Sequence, residues 1–139
     1  MFNPNLVIKN AVQHGQIDAV LSLIARVLMA YIFIVAGWGK LNAYPETVSY
    51  MESMGVPAVL LPLTILVELG GGLALLLGFQ ARFAALGLAG FSLITALIFH
   101  SGADDAIHLM KNFAMAGGLI FLVLHGAGKI SLDHLVEKE

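Results

Sequence analysis

Residues 57–79 read PAVLLPLTILVELGGGLALLLGF, an apolar run interrupted by a single carboxylate, Glu68. A run of about 20 apolar residues is long enough to cross a bilayer as an α-helix. A carboxylate at mid-depth in hydrocarbon costs roughly 3 kcal/mol or more unless it faces protein and has a partner there. The run therefore predicts a membrane span whose acid points into a helical bundle.

Composition places the whole chain in the membrane. The sequence has 139 residues, of which 59% are hydrophobic and 12% are charged, whereas soluble domains carry about 25% charged residues. The net charge of −2 gives no basis for a nucleic-acid partner. The absence of cysteine excludes thiol–disulfide chemistry and cysteine-ligated metals within this chain. The lipid bilayer is therefore the predicted environment.

Four apolar runs organise the sequence into a single domain over residues 1–139. We expect membrane spans at about 17–37, 57–79, 83–100 and 111–126. In the connection 41–56, Val48, Met51 and Met54 recur at helical spacing, which predicts a short amphipathic helix on the membrane surface. The fold class is all-α, an integral membrane four-helix transmembrane bundle with that short helix in its first outer loop. Residues 5–16 form either an interfacial helix or a frayed tail.

The basic residues predict the orientation of the bundle. With four spans, both termini lie at one end, here called the terminal end, and the opposite end is called the distal end. The terminal end carries four basic residues and the distal end carries two, Lys40 and Lys111. The positive-inside rule then puts both termini in the cytoplasm. The four are Lys9, Arg82, Lys129 and Lys138.

Arg26 is the predicted partner of Glu68. Arg26 lies near the midpoint of the first span and Glu68 near the midpoint of the second, so consecutive antiparallel spans should bring them to one depth. A guanidinium and a carboxylate can form two parallel hydrogen bonds and offset much of each other's burial cost. Such a pair is either a structural contact that fixes helix register or a polar site for a ligand or a proton.

A second polar group gathers where the spans reach the distal end. Together with Thr64 and Glu68 beneath it, this group could line a pocket for a quinone-like or other amphipathic molecule with a polar head and an apolar body. The alternative is that these side chains snorkel to the membrane surface or cap helix ends. The group consists of Trp38, Lys40, His100, Lys111 and Asn112.

Haem and metal sites are not expected. His100 and His108 lie at the distal end and His125 at the terminal end, so no pair of histidines faces across the bundle interior. Histidines and carboxylates also lack a metal-binding spacing. Ser92 and Thr95 are the polar residues inside the third span, and both are expected to bond their own backbone carbonyls.

Several segments, in order, resemble the DoxX family of small four-span membrane proteins, and the similarity covers about residues 17–130. The family tends to carry charge at the positions of Arg26, Lys40, Glu68, Arg82 and Lys111. The resemblance implies a four-helix bundle in the bacterial inner (plasma) membrane. The segments are AGWGKL at 36–41, MGVP at 54–57, LVELGGGLALLLGF at 66–79, ARFAALGLAG at 81–90, FH at 99–100 and MKN at 110–112.

The resemblance implies function more loosely. Some relatives are subunits of a thiosulfate:quinone oxidoreductase, and others are linked to partners in oxidative-stress and thiol-stress responses. We therefore expect a subunit or accessory protein of a quinone-linked redox or oxidative-stress system, with quinone as the candidate cofactor and a soluble or membrane redox partner. Whether this chain is itself catalytic stays open. The alternatives are a small-molecule transporter or permeability factor that acts as a homo-oligomer, and a non-catalytic membrane anchor for a soluble enzyme.

Overall fold

The computed structural model describes residues 2–138, and every regular element in that range is helical. Four of the helices, α2, α4, α5 and α6, are long and apolar enough to cross a membrane, as the sequence predicts. The helices are α1 (Pro4–Val12), α2 (Gly15–Asn42), α3 (Tyr44–Ser53), α4 (Ala58–Leu77), α5 (Ala81–Phe99), α6 (Ala106–His125) and α7 (Leu132–Val136).

The first span differs most from its expected bounds. Helix α2 has 28 residues and continues to Asn42, five residues past the expected end at 37. Helix α6 begins at Ala106, five residues before the expected start at 111. At about 1.5 Å per residue, α2 is roughly 42 Å long, which exceeds the hydrocarbon thickness of a bilayer. Helix α2 is therefore the longest of the four spans.

Two glycines set the register between α2 and α4. Gly37 lies so close to α4 that a Cβ there would be 2.7 Å from Cγ of Leu69. Gly72 of α4 lies about one turn closer to the terminal end than that contact. Its backbone packs against Phe33 and Ile34 of α2, and a Cβ on it would be 3.2 Å from Cβ of Phe33. Small residues permit such close helix contact in membranes. The two helices are thereby fixed with residue 37 opposite residues 68 and 69.

The terminal half of the bundle is tightly filled. Its core is built from alanines and leucines of α2, α4, α5 and α6 together with Phe33 of α2 and Ala127 of the C-terminal segment. Alanines allow the helices to approach closely, and the leucines fill the spaces that remain. The buried residues of this cluster are Ala30, Phe33, Leu75, Ala81, Ala85, Leu88, Ala89, Ala116, Leu119, Leu122 and Ala127.

The amphipathic helix of the first loop is present as α3. Its Met51 is buried against Leu61 and Ile65 of α4, and Val48 packs against the same cluster. Tyr50 stacks on Phe99 at the end of α5, with ring centroids 5.6 Å apart. Helix α3 therefore lies across the distal end of the bundle, with its apolar face against protein.

The C-terminal segment closes the terminal end. The Asp133 carboxylate accepts hydrogen bonds from the backbone N–H groups of Gln80 (2.6 Å) and Ala81 (2.8 Å) at the start of α5. The Asp133 N–H donates to the carbonyl of Gly78, which ends α4 in the left-handed conformation that favours glycine. The segment thus satisfies backbone groups at the turn between the second and third spans.

Labelling of single cysteines tests the predicted orientation. Ser101→Cys introduces an exposed thiol at the distal end, and Gln13→Cys introduces one at the terminal end, in a chain without native cysteine. If the termini are cytoplasmic, a membrane-impermeant maleimide labels S101C in intact cells and labels Q13C only after the membrane is broken. The reverse pattern would show that the bundle is inserted the other way.

Candidate functional site

A cavity of about 470 Å³ occupies the distal half of the bundle. Every span contributes to its walls, through residues 32–40 of α2, 60–68 of α4, 91–99 of α5 and 111–115 of α6, and His100 lines it directly after α5. Helix α3 covers it with Thr47, Tyr50 and Met51. The volume lies within the range of about 300–1,000 Å³ that is usual for small-molecule sites.

The cavity opens sideways between the distal halves of α4 and α5. Leu63 on α4 and Ile94 on α5 both line it and are 56% and 60% exposed. Leu60 and Ile98 are also lining residues that are exposed. These four side chains form the rim of an opening that faces the acyl chains, because α4 and α5 are membrane spans.

Glu68 lies inside this cavity and is paired with Lys40. The Lys40 Nζ donates hydrogen bonds to both carboxylate oxygens of Glu68, at 2.9 Å to Oε1 and 2.7 Å to Oε2. Glu68 is 5% exposed, while Lys40 is half-buried near the end of α2. The long lysine side chain extends from the distal end down to the acid, which keeps the charge at depth compensated.

The predicted contact between Arg26 and Glu68 is wrong. The Arg26 guanidinium donates to the carbonyls of Ala127 (2.6 Å) and Ile130 (2.8 Å) in the C-terminal segment. Because residue 37 stands opposite Glu68, Arg26 is eleven residues away along α2, or about 16 Å toward the terminal end. Arg26 is 2% exposed and belongs to the closure of the terminal end, outside the cavity.

Six of the eight predicted site residues line the cavity: Lys40, Thr64, Glu68, His100, Lys111 and Asn112. Trp38 does not; it is 61% exposed and faces away from the bundle, as an interfacial anchor would. Asn112 is buried, and its amide donates to the carbonyl of His108 at 2.9 Å. The distal helix ends therefore converge on one space, as their polar residues suggest.

His100 and Lys111 stand at the distal rim of the cavity. The His100 ring stacks on His108 at 5.2 Å between centroids, and its Nδ1 lies 3.6 Å from a carboxylate oxygen of Asp105. Lys111 is exposed, with Nζ 3.4 Å from Nδ1 of His108. Among the described residues, no group of three or more His, Cys, Asp or Glu side chains converges as metal ligands would. The rim thus offers hydrogen-bond donors from imidazole and ammonium groups.

The backbone around Glu68 is also unusual. Residues Leu66–Gly70 form a single π-helical turn within the otherwise regular α4. Such turns are rare and occur frequently at functional sites. Here the turn carries the one acid of the span. No periodicity in the sequence signals this turn; the only cue is the run Gly70, Gly71 and Gly72, which weakens the preference for regular helix.

Sequence reasoning missed the role of Ser92 at this site. Thr95 donates to the carbonyl of Phe91 at 2.8 Å, as expected, but Ser92 does not follow the same pattern. Its hydroxyl is buried and has no hydrogen-bond partner, although Ser92 lines the cavity. The available signal was that Ser92 and Thr95 are the only hydroxyls within an otherwise apolar span.

The geometry defines a small four-span membrane protein with a cavity that opens toward lipid. Comparison with known proteins then gives its family: the chain belongs to the DoxX family, whose sequence model matches residues 21–101. It is therefore a multi-pass protein of the inner membrane, as its relatives are.

Two relatives from Escherichia coli (strain K12) are similar over most of their length. The inner membrane protein YqjF is 49% identical over 120 residues, covering 84% of this chain and 92% of the relative. The inner membrane protein YphA is 34% identical over 129 residues, covering 86% of this chain and 92% of the relative. No solved structure shows a significant match to the chain.

Removing Lys40 should destabilise the protein by leaving Glu68 buried without a partner. We expect Lys40→Met to lower the free energy of unfolding by about 2–4 kcal/mol. Adding Glu68→Leu should recover much of that loss, because the uncompensated charge is then gone. Unfolding of the detergent-solubilised protein measures both, and strictly additive effects of the two substitutions would show that the pair is not formed.

Removing Arg26 should loosen the C-terminal segment without affecting Glu68. Hydrogen bonds from charged groups contribute about 1.5–3 kcal/mol each, so we expect Arg26→Met to destabilise the protein by about 2–4 kcal/mol. Trypsin should then cleave faster after Lys129, which lies between the two carbonyl acceptors. Adding Glu68→Leu to Arg26→Met should not recover the lost free energy of unfolding. A recovery would indicate that Arg26 and Glu68 interact, contrary to the structure.

Proposed function

We propose that this protein is a membrane-embedded subunit or accessory protein of a quinone-linked redox or oxidative-stress system, and that its cavity binds the head of a quinone-like molecule. The observation that carries the proposal is the combination of a lipid-facing opening with a few polar groups set in a largely apolar interior. A ligand dissolved in the bilayer can enter between α4 and α5 without crossing water.

The chemistry of the walls favours a neutral head with acceptor oxygens. Glu68 compensates the charge of Lys40, so the deepest polar group of the cavity carries little net charge. Lys40 and Asn112 have N–H donors, and Lys111 and His100 add further donors at the rim. A quinone presents carbonyl oxygens to such donors while its ring and tail contact apolar side chains.

The aromatic and aliphatic walls suit the rest of such a molecule. Phe33, Tyr50, Phe91 and Phe99 line the cavity along with isoleucines, leucines and valines. Aromatic rings stack readily on a flat conjugated ring. A tail longer than the cavity would leave through the opening beside Leu63 and Ile94 and remain among the acyl chains.

The residues of this chain would bind and orient the ligand and exchange protons with it. Quinone, when bound, would supply the redox chemistry, and its reduction requires protons as well as electrons. His100 beside Asp105 and the Lys40–Glu68 pair are groups that can hold or move a proton near the head. Because the chain has no cysteine, any thiol chemistry in the system belongs to a partner protein.

The transporter alternative finds less support in this conformation. The cavity ends at the level of Phe33 and Glu68, and the packed core of the terminal half lies below it. A path to the terminal end would require that core to open. Uptake of a small solute into proteoliposomes would favour the transporter over the proposed role.

Titration with decylubiquinone tests the proposal. We expect saturable binding to the purified protein in micelles, beyond partitioning into empty micelles, and an affinity at least about tenfold lower for Glu68→Gln, which corresponds to roughly 1.4 kcal/mol. The reason is that Lys40 loses the charged partner that holds it at the cavity floor.

Glu52→Gln is the matched control, since Glu52 is exposed on α3 and does not line the cavity. It should leave the affinity unchanged. Absence of saturable binding would reject the proposed function, as would equal losses in E68Q and E52Q.

A further inference from the structure

Ser92 carries a hydroxyl that the folded protein leaves without a partner. Ser92 is 1% exposed, and its Oγ has no hydrogen bond to protein. A serine inside a membrane helix ordinarily bonds the carbonyl one turn back, as Thr95 does with Phe91. Buried polar atoms without partners are uncommon in native proteins, because each forfeits the hydrogen bonds it would make in water.

The register of α4 and α5 places Ser92 at about the depth of Glu68 in the cavity. Helices α4 and α5 are antiparallel, and a Cβ on Gly71 would lie 3.0 Å from Cγ of Leu88, which fixes their register. One helical turn toward the distal end on both helices, Ser92 comes opposite Val67, the neighbour of Glu68. Ser92, Val67 and Glu68 all line the cavity.

We propose that Ser92 is a ligand-contacting residue, and that its hydroxyl on α5 and the Lys40–Glu68 pair on α2 and α4 bind two polar atoms of the same ligand head. This inference rests on the proposed function of the cavity. It adds a contact on a third helix, and it makes the site two-sided.

A two-sided site narrows the class of ligand. The Lys40 ammonium beside Glu68 and the Ser92 hydroxyl on α5 are both donors, and most of the other side chains that line the cavity are apolar. A flat ring with two carbonyl oxygens, such as a benzoquinone or naphthoquinone, can accept from both donors at once. A fatty acid or a simple phenol has one polar end and can engage only one of them.

The test compares Ser92→Ala with Ser49→Ala. Ser92 lines the cavity, whereas Ser49 is exposed on α3, does not line the cavity and donates its hydroxyl to the carbonyl of Pro45. With decylubiquinone as the probe, we expect S92A to bind about fivefold to tenfold more weakly, the loss of one hydrogen bond. S49A should bind within about twofold of the parent protein, since the same substitution there removes no group from the cavity.

Unfolding of the ligand-free protein provides the second readout. Because the Ser92 hydroxyl makes no hydrogen bond within the protein, S92A should unfold at the same temperature as the parent or at a higher one. A residue with a purely structural role would show the opposite, a loss of stability with no separate effect on the ligand. Weaker binding in a variant of undiminished stability therefore supports the contact.

The outcomes separate this inference from the proposed function. If the parent protein binds decylubiquinone and S92A binds it equally well, Ser92 does not contact the ligand, and the proposed function stands without it. A lower unfolding temperature for S92A together with unchanged binding would assign the hydroxyl to folding. If the parent protein shows no saturable binding, both proposals fall.

Discussion

The close approach of α2 and α4 is the constraint on which the rest of the structure depends. Gly37 and Gly72 lack the side chains that would hold the two helices apart, and each accepts the neighbouring helix directly against its backbone. That contact fixes the relative position of every charge on the two helices. It places Lys40 within reach of Glu68 and leaves Arg26 at the end of the bundle where α4 stops.

The relative position of α2 and α4 also explains how much of the structure could be predicted from the sequence. The length of the apolar runs is sufficient to predict four spans, and the spacing of Val48, Met51 and Met54 is sufficient to predict the short helix between the first two. The midpoints of the two spans would bring Arg26 to Glu68 only if the two helices were centred alike. Helix α2 covers residues 15–42 and has its midpoint near residue 28, whereas residue 37 stands opposite Glu68.

The candidate site, too, could be predicted from the sequence only in part. Polar residues at the distal helix ends could be recognised from their positions, and six of those predicted line one cavity. The π-helical turn at Leu66–Gly70 and the unpartnered Ser92 hydroxyl could not, because both arise from packing between helices. The two halves of the bundle also differ in their side chains: alanines and leucines fill the terminal half, whereas aromatic and branched side chains line most of the cavity in the distal half.

The hydrogen bonds of Arg26 have a consequence for biosynthesis. Its guanidinium enters the membrane with the first span, yet its acceptors, the carbonyls of Ala127 and Ile130, lie 101 and 104 residues later in the chain. During insertion the charge is solvated by water or lipid phosphates until residues 127–130 have left the ribosome. Burial of the Arg26 guanidinium therefore waits for that segment, and a chain truncated before residue 127 would carry a cation without either of these acceptors.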